Sequence, residues 1–245
     1  MDAYLIPDAP SSMYYISNFI TAEDEDFILR SIPPNRWVSL SRRRLQAVPS
    51  RLTANNTLLP SPLPAWLEKP VVERLKSLNG IFVGAPHGIN HCLINEYLPG
   101  QGIMPHEDGG AYHPVVATVS LGGSIVLEVT QKRTADPETP GAVEDQSTRG
   151  EKKTWRILQE PRSLLVTCGS AYNDTLHGIA EVVEDVDLSE QTVANWSLLG
   201  DKDTIIAHGG RNERPTRTSL TLRDVKKVSG LGSKLFGKTK IGTGR

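Results

Sequence analysis

The sequence predicts a mainly β protein of the α+β class, with helices near the N-terminus followed by a sandwich or barrel of short strands. Apolar side chains at helical spacing lie in the first 80 residues of the 245-residue chain. From Ile89 onward, short apolar stretches follow one another between Gly and Pro residues, with no helical pattern between them. A succession of short strands without intervening helices is typical of a sandwich or a barrel.

Residues 1–88 are predicted to form supporting helices and a lid that recognises substrate. Thr21 has the character of a helix N-cap, and the acidic side chains that follow it are favoured by the positive helix N-terminus. Pro64 opens a second helix, which Pro70 is expected to divide. The strand-like stretches in this region are 13–16, 36–40 and 42–46.

The core is predicted to span residues 89–224. Its predicted strands are 90–98, 115–121, 124–130, 155–160, 163–168, 175–180 and 216–223. Two polar insertions interrupt it. We expect 131–154 to be mobile, because it is nearly free of large apolar side chains, and 181–214 to be partly ordered around its apolar residues. Residues 225–245 are basic and are predicted to be a flexible tail.

The composition is that of an ordinary globular protein, with 38% apolar and 22% charged residues. A net charge of -1 excludes overall attraction to a polyanion, so any nucleic-acid surface must be a local patch. Cys92 and Cys168 have no paired spacing, which argues against a disulfide framework. The N-terminus lacks a signal-peptide pattern, and no apolar run is long enough for a membrane span. We expect a monomer in the cytoplasm, the nucleus or both, without a membrane partner.

The triplet His106-Glu107-Asp108 is the strongest sign of chemistry. Residues i and i+2 of an extended segment point to the same face, so His106 and Asp108 present an imidazole and a carboxylate side by side, while Glu107 points away. His177 is the candidate for a third ligand. Two His and one carboxylate leave open positions on an octahedral metal, which is typical of non-haem Fe(II) oxygenases.

The last predicted strand places two arginines on one face. Arg217, Ser219 and Arg223 alternate with threonine and leucine side chains, so the arginines point into the barrel if the leucine face packs outward. A buried guanidinium without a partner costs several kcal/mol, which implies an anion such as a small diacid. Asn95 and Tyr97 add hydrogen-bonding groups on one face of an earlier strand.

Together these motifs resemble the AlkB-type Fe(II)/2-oxoglutarate-dependent dioxygenases. The pattern is Asn-x-Tyr, Pro-Gly, His-x-Asp, a distant His, and two Arg six positions apart. The resemblance implies a double-stranded β-helix (jelly-roll) core, with Fe(II), 2-oxoglutarate and dioxygen as cofactor and cosubstrates. It implies that the iron ligands are His106, Asp108 and His177, and that 2-oxoglutarate is bound by Asn95, Tyr97, Arg217, Ser219 and Arg223.

The same resemblance implies oxidative demethylation of N-alkylated nucleic acid, in which a methyl group is hydroxylated and then lost as formaldehyde. Single-stranded RNA or DNA is the expected partner, because a base must leave its stack to reach a buried metal. The candidate substrate contacts are Arg42, Arg43, Arg44 and Tyr172. The three arginines could equally be the solvated charges of an edge strand.

Two other functions remain open at this point. An oxygenase of the same mechanism could act on a protein or a small molecule, and the near-neutral net charge is compatible with that. A weakly active, metal-dependent binding module is the other possibility. A purely structural metal would not require the diacid-binding arginines, which argues against it.

Overall fold

The computed structural model describes residues 1–132 and 153–230, and their strands form two antiparallel sheets with one small additional pair. The strands are β1 (Met13–Ile16), β2 (Val38–Leu40), β3 (Arg43–Val48), β4 (His91–Tyr97), β5 (Ile103–His106), β6 (Val115–Leu121), β7 (Ile125–Gln131), β8 (Thr154–Gln159), β9 (Leu164–Cys168), β10 (Thr175–Ile179), β11 (Glu184–Asp185), β12 (Asn212–Glu213) and β13 (Arg217–Arg223). The predicted mainly β class is confirmed.

The major sheet has seven strands in the order β1-β9-β6-β13-β4-β3-β2, and the minor sheet has four in the order β5-β10-β7-β8. β11 and β12 pair with each other. The two sheets form the jelly-roll architecture and enclose a cavity lined by both of them. Three strands from the first 88 residues, β1, β2 and β3, extend the major sheet at its two edges.

The helices are short and most of them lie before the core strands. They are α1 (Ala22–Ser31), α2 (Ala65–Leu67), α3 (Glu73–Ser77), α4 (Gly169–Asn173) and α5 (Lys202–Ala207), with 3₁₀ turns at Asp2–Tyr4, Pro34–Arg36 and Trp196–Leu198. Thr21 caps α1 as predicted, in a reciprocal capping box with Asp24. Pro70 lies in a π-helical turn, Glu68–Val72, that joins α2 to α3. The expected division at Pro70 is therefore a local change of winding, since a π turn accommodates a residue that lacks a backbone donor.

Two apolar clusters support the sheets. The larger one joins the helices before the core to the outer face of the major sheet, where Leu220 and Leu222 are fully buried. The second joins the minor sheet to the insertion 181–214, which contributes Leu188, Val193 and other buried side chains. That insertion is more ordered than its sequence indicates, because its apolar residues are spaced too irregularly to predict an element yet still bury against the sheet.

The seven strands predicted for the core match observed strands within one or two residues at each end. β5, β11 and β12 are not predicted: β5 contains Pro105, and β11 and β12 have two residues each, which is too short to show alternation. The insertion 131–154 falls largely outside the described residues, as does the tail from 231 onward. Residues 225–230 are described and are attached to the core at two points: Val225 is fully buried and Val228 bridges to Leu58. Within the described residues, no helix is long and apolar enough to cross a bilayer.

Candidate active site

A cavity of about 110 Å³ lies between the two sheets. Roughly 10–15 Å³ of such space holds one water, so the cavity can admit a small molecule. All eight side chains proposed above for metal and cosubstrate line it: Asn95, Tyr97, His106, Asp108, His177, Arg217, Ser219 and Arg223. Residues separated by more than 120 positions in the chain are thereby brought to one place.

A β-bulge in β5 positions the two histidines. His106 on β5 lies opposite His177 on β10, and Ile103 lies opposite Ile179. Three steps along β5 therefore match two along β10, which leaves one extra residue on β5. The rings of His106 and His177 come to 4.5 Å between centroids. The His106 Nδ1 lies 2.9 Å from the Met104 carbonyl, so Nδ1–H can donate to it and leave Nε2 available as a ligand.

Asp108 lies just beyond the end of β5, in a loop that still faces the cavity. Its carboxylate accepts a hydrogen bond from the Arg223 guanidinium, and both side chains are almost fully buried. Glu107 is directed to Lys132, with which it forms an ion pair of 2.8 Å. Glu107 nevertheless lines the cavity together with its two neighbours, so it does not point fully away from the site as expected, because Asp108 lies beyond the end of β5, where strand alternation no longer holds.

The donor chemistry of the three side chains fits Fe(II), which accepts imidazole and carboxylate together. In the described ranges, no group of three His, Cys, Asp or Glu side chains is already arranged to hold a metal ion. At this site the Asp108 carboxylate is held by Arg223 instead. Metal binding would therefore redirect Asp108 toward the two imidazoles, and Arg223 would need another anion in exchange.

Arg217 is a buried cation that lacks an anionic partner among the described residues. Its guanidinium donates to the Ser120 hydroxyl at 2.8 Å and to the Gln159 side-chain oxygen at 3.1 Å. Burial lowers the pKa of Arg217 to about 10, so the side chain stays charged at neutral pH. A carboxylate inside the cavity would satisfy this charge, as the sequence pattern indicates.

The register between β4 and β13 aligns the remaining cosubstrate candidates. Arg217 lies opposite Tyr97, and Ser219 lies opposite Asn95. Alternation points all four to one face of the major sheet. Burial raises the pKa of Tyr97, whose hydroxyl therefore stays protonated and able to donate.

The proposed substrate residues separate into different environments. Arg42 forms an ion pair with Glu181 outside the cavity, and Arg44 pairs with Glu96 while its guanidinium lies 4.6 Å from the centre of the Trp37 ring. Arg43 alone of the three lines the cavity. Side chains alternate along β3, so Arg43 and Arg44 point to opposite faces of the sheet, and the contact of these arginines with substrate stays a prediction.

Tyr172, the fourth substrate candidate, lines the cavity. Its hydroxyl donates to the Gly109 carbonyl at 3.2 Å, and burial raises its pKa to about 12. Its ring lies beside the loop that carries Asp108.

Burial lowers the pKa of His177 to about 4, although Asp108 opposes the shift. A neutral imidazole is the form that binds metals, because its ring nitrogen then carries a free lone pair. The local environment therefore keeps this side chain in its ligating state at neutral pH.

Ser120 and Gln159 are site residues that the sequence analysis does not find. Both are buried and both hold Arg217. The available signal was a polar side chain at an inward position of an otherwise apolar strand: Ser120 ends the run Val-Val-Ala-Thr-Val-Ser and Gln159 ends Arg-Ile-Leu-Gln.

Comparison with known proteins identifies the family. The family model described as "2OG-Fe(II) oxygenase superfamily" matches residues 13–223. A relative from Danio rerio named "Probable RNA/DNA demethylase ALKBH6" is 38% identical over 234 residues, which cover 93% of this chain and 92% of the relative. A relative from Xenopus tropicalis named "tRNA (carboxymethyluridine(34)-5-O)-methyltransferase alkbh8" is 29% identical, over 91% of this chain and 33% of its own length.

Among solved structures, the one titled "The structure of OsALKBH1" superposes with a TM-score of 0.51 at 17% identity, covering 88% of this chain and 99% of that chain. An oxidoreductase of the 2OG-Fe(II) oxygenase family from Burkholderia pseudomallei has a TM-score of 0.50 at 12% identity, covering 89% and 88%. These two likenesses support the fold.

Proposed function

Because the chain belongs to the 2OG-Fe(II) oxygenase superfamily, as an AlkB-type dioxygenase, we propose that it oxidatively demethylates N-alkylated nucleic acid, in single-stranded RNA or DNA. Family membership implies Fe(II) as the cofactor, with 2-oxoglutarate and dioxygen as cosubstrates. The observation that carries the proposal is the single cavity that joins two imidazoles and a carboxylate to a buried guanidinium without a carboxylate partner.

We assign His106, Asp108 and His177 as the metal ligands. When bound, the iron supplies the activation of dioxygen that oxidises a C–H bond as 2-oxoglutarate is converted to succinate and carbon dioxide. His106 is oriented by the Met104 carbonyl, and His177 is kept neutral by burial. These contacts prepare the two imidazoles for a metal, and Asp108, which lines the same cavity, would join them on leaving Arg223.

Arg217 would bind the distal carboxylate of 2-oxoglutarate, since it is charged, buried and held in place by Ser120 and Gln159. Asn95, Tyr97 and Ser219 would donate hydrogen bonds from the same face. Arg223 would pair with the other end of the diacid once Asp108 is taken up by the metal. The apolar walls of the cavity exclude water and strengthen these charged contacts.

Two observations support a nucleic-acid substrate. The Danio rerio relative that matches nearly the full length carries the name of a probable RNA/DNA demethylase. The cavity also lies between the two sheets, so a base would have to leave its stack to reach it. An oxygenase acting on a protein or small molecule is the second candidate, which the net charge of -1 favours.

Succinate formation tests the proposal. Iron-loaded protein should form succinate faster with N-methylated single-stranded RNA or DNA than with unmethylated strands, methylated peptides or no substrate, and should release formaldehyde in equal amount. His177→Ala should lose this turnover while keeping its melting transition. Stimulation by peptides alone would move the assignment to a protein substrate, and tight zinc binding without turnover on iron would indicate a structural metal site.

A further inference from the structure

Arg43 is a cation of the cavity that no described residue neutralises. Its guanidinium makes no hydrogen bond or ion pair to the described residues, and its Nε is buried without a partner. It lies near enough to Tyr97 to influence the electrostatics of that hydroxyl. A desolvated guanidinium nitrogen without an acceptor costs free energy, so a ligand that supplies an acceptor here would be stabilised.

The other charges of the cavity are either paired within the chain or assigned to the cosubstrate. Asp108 pairs with Arg223, and Glu107 pairs with Lys132. Arg217 is assigned to a carboxylate of the cosubstrate. A divalent iron and a dianionic cosubstrate cancel each other in charge, so loading the site does not neutralise Arg43. The charge that remains favours an anionic group on the substrate itself.

An open cleft of 460 Å³ lies along β2 and β3 next to the cavity, and Leu93 lines both spaces. Its walls are the apolar side chains Val38, Leu40, Leu45, Ala47, Leu52 and Leu93, with Tyr112 and His91. Arg51 also lines it, and no acidic residue does. Apolar and aromatic walls with cations beside them suit a single strand, whose bases stack while its phosphates meet the charges.

We propose that Arg43 binds the backbone phosphate adjacent to the nucleotide whose base enters the cavity, an inference that rests on the proposed function. A guanidinium suits this role because its planar donors match phosphate oxygens bidentately. Arg42 and Arg44, its chain neighbours, are engaged by Glu181 and Glu96 and take no part. Arg43 is thus a specificity residue that selects an anionic polymer over a neutral small molecule.

A phosphate scan tests this assignment. The probe is a single-stranded oligodeoxynucleotide with one N-methylated adenine at its centre, in which one linkage at a time is replaced by a neutral methylphosphonate. Binding is measured with Mn²⁺ in place of iron and with 2-oxoglutarate present, so that no turnover occurs. Wild type should lose about tenfold or more in affinity at one linkage beside the methylated base.

Arg43→Gln should bind the methylated strand that has only ordinary phosphate linkages about tenfold or more weakly than wild type does. A methylphosphonate at the sensitive linkage should cause no further loss in this variant. The slope of its log affinity against log salt should be smaller by about 0.7. Arg43→Lys should recover part of the affinity, because it keeps the charge and loses the bidentate geometry. Arg42→Gln removes the same charge one residue away and should retain the wild-type pattern.

Three outcomes would overturn the inference, and they are distinguishable. If Arg43→Gln loses as much affinity as Arg42→Gln when that linkage is neutral, Arg43 does not bind the phosphate. The proposed function would be unaffected by this result. A fall in 2-oxoglutarate affinity in Arg43→Gln, with the linkage pattern unchanged, would assign Arg43 to the cosubstrate. No binding of the oligonucleotide by wild type would overturn both this assignment and the nucleic-acid substrate.

Discussion

Arg217 illustrates how one side chain can indicate a ligand. The sequence shows a strand with Arg on the face opposite to leucine, and the structure buries that Arg beside two neutral hydrogen-bond acceptors. Serine and glutamine side chains orient a guanidinium without neutralising it. The remaining charge is then available to a carboxylate, and desolvation makes the pairing stronger than it would be in water.

Arg217→Ala should weaken 2-oxoglutarate binding by about tenfold or more, because charge-assisted hydrogen bonds contribute about 1.5–3 kcal/mol. Calorimetric titration of the cosubstrate into Mn²⁺-loaded protein measures the change. Arg211→Ala is the matched control, since Arg211 is more than half exposed and pairs with Glu184 outside the cavity. Unchanged affinity in Arg217→Ala would place the diacid elsewhere.

The arginine triplet shows the limit of reasoning from residue types. Arg42, Arg43 and Arg44 are consecutive and chemically identical, yet only Arg43 lines the cavity. Which one faces inward depends on where β3 begins and on which residue of β4 it opposes. Neither is visible in a run of like charges.

Among the elements, β5 carries His106 and holds it opposite His177 on β10. Its bulge turns His106 toward His177, and its close packing on β10 depends on glycine. A methyl group at Gly102 would lie 2.2 Å from the Ile179 carbonyl oxygen, and one at Gly178 would lie 2.9 Å from the Pro105 nitrogen. These are contacts with backbone, which cannot move aside cheaply.

Gly102→Ala should therefore displace β5 from β10, lower the melting temperature and weaken metal binding, because His106 and His177 no longer face each other. Gly110→Ala is the control: it lies in the same part of the chain, and a methyl group there meets nothing within 4 Å. Mn²⁺ titration followed by electron paramagnetic resonance gives the affinity. Equal metal affinity in the two variants would show that the pairing of β5 with β10 does not position the ligands.

At the scale of the whole molecule, the buried imidazole of His91 should make the stability of the fold depend on pH. His91 begins β4 and is 2% exposed. Burial, reinforced by the charge of Arg223, lowers the pKa of His91 to about 4 against a smaller opposing effect of the Ser50 backbone. In the unfolded chain the same imidazole takes up a proton near pH 6.5.

Between these two pKa values the unfolded state binds more protons than the folded state. The free energy of unfolding should therefore fall as the pH is lowered from about 6.5 to about 4, with His91 contributing up to about 3 kcal/mol. Denaturant unfolding of metal-free protein across this range measures the slope. His91→Gln should reduce the slope to the part that remains from His177, whose pKa burial also lowers to about 4, whereas His208→Gln, at an exposed position, should leave it unchanged. An unchanged slope in His91→Gln would mean that His91 is solvated in the folded state.

Local chemistry in the sequence is sufficient to predict the seven core strands, the Thr21 cap and the residue types of the site, because alternation, capping and motif spacing act over a few neighbouring residues. Alternation alone places Leu220 and Leu222 on one face of β13 and Arg217 and Arg223 on the other. The packing of the leucine face against the helices before the core then turns the arginine face toward the cavity.

Only the tertiary structure decides which distant groups meet. The pairing of Asp108 with Arg223, the support of Arg217 by Ser120 and Gln159, and the choice of Arg43 over its neighbours each join residues from different strands. Strand register and the bulge in β5 determine these contacts. A shift of one residue would turn every side chain of a strand to the opposite face, so the site depends on the assembled sheets.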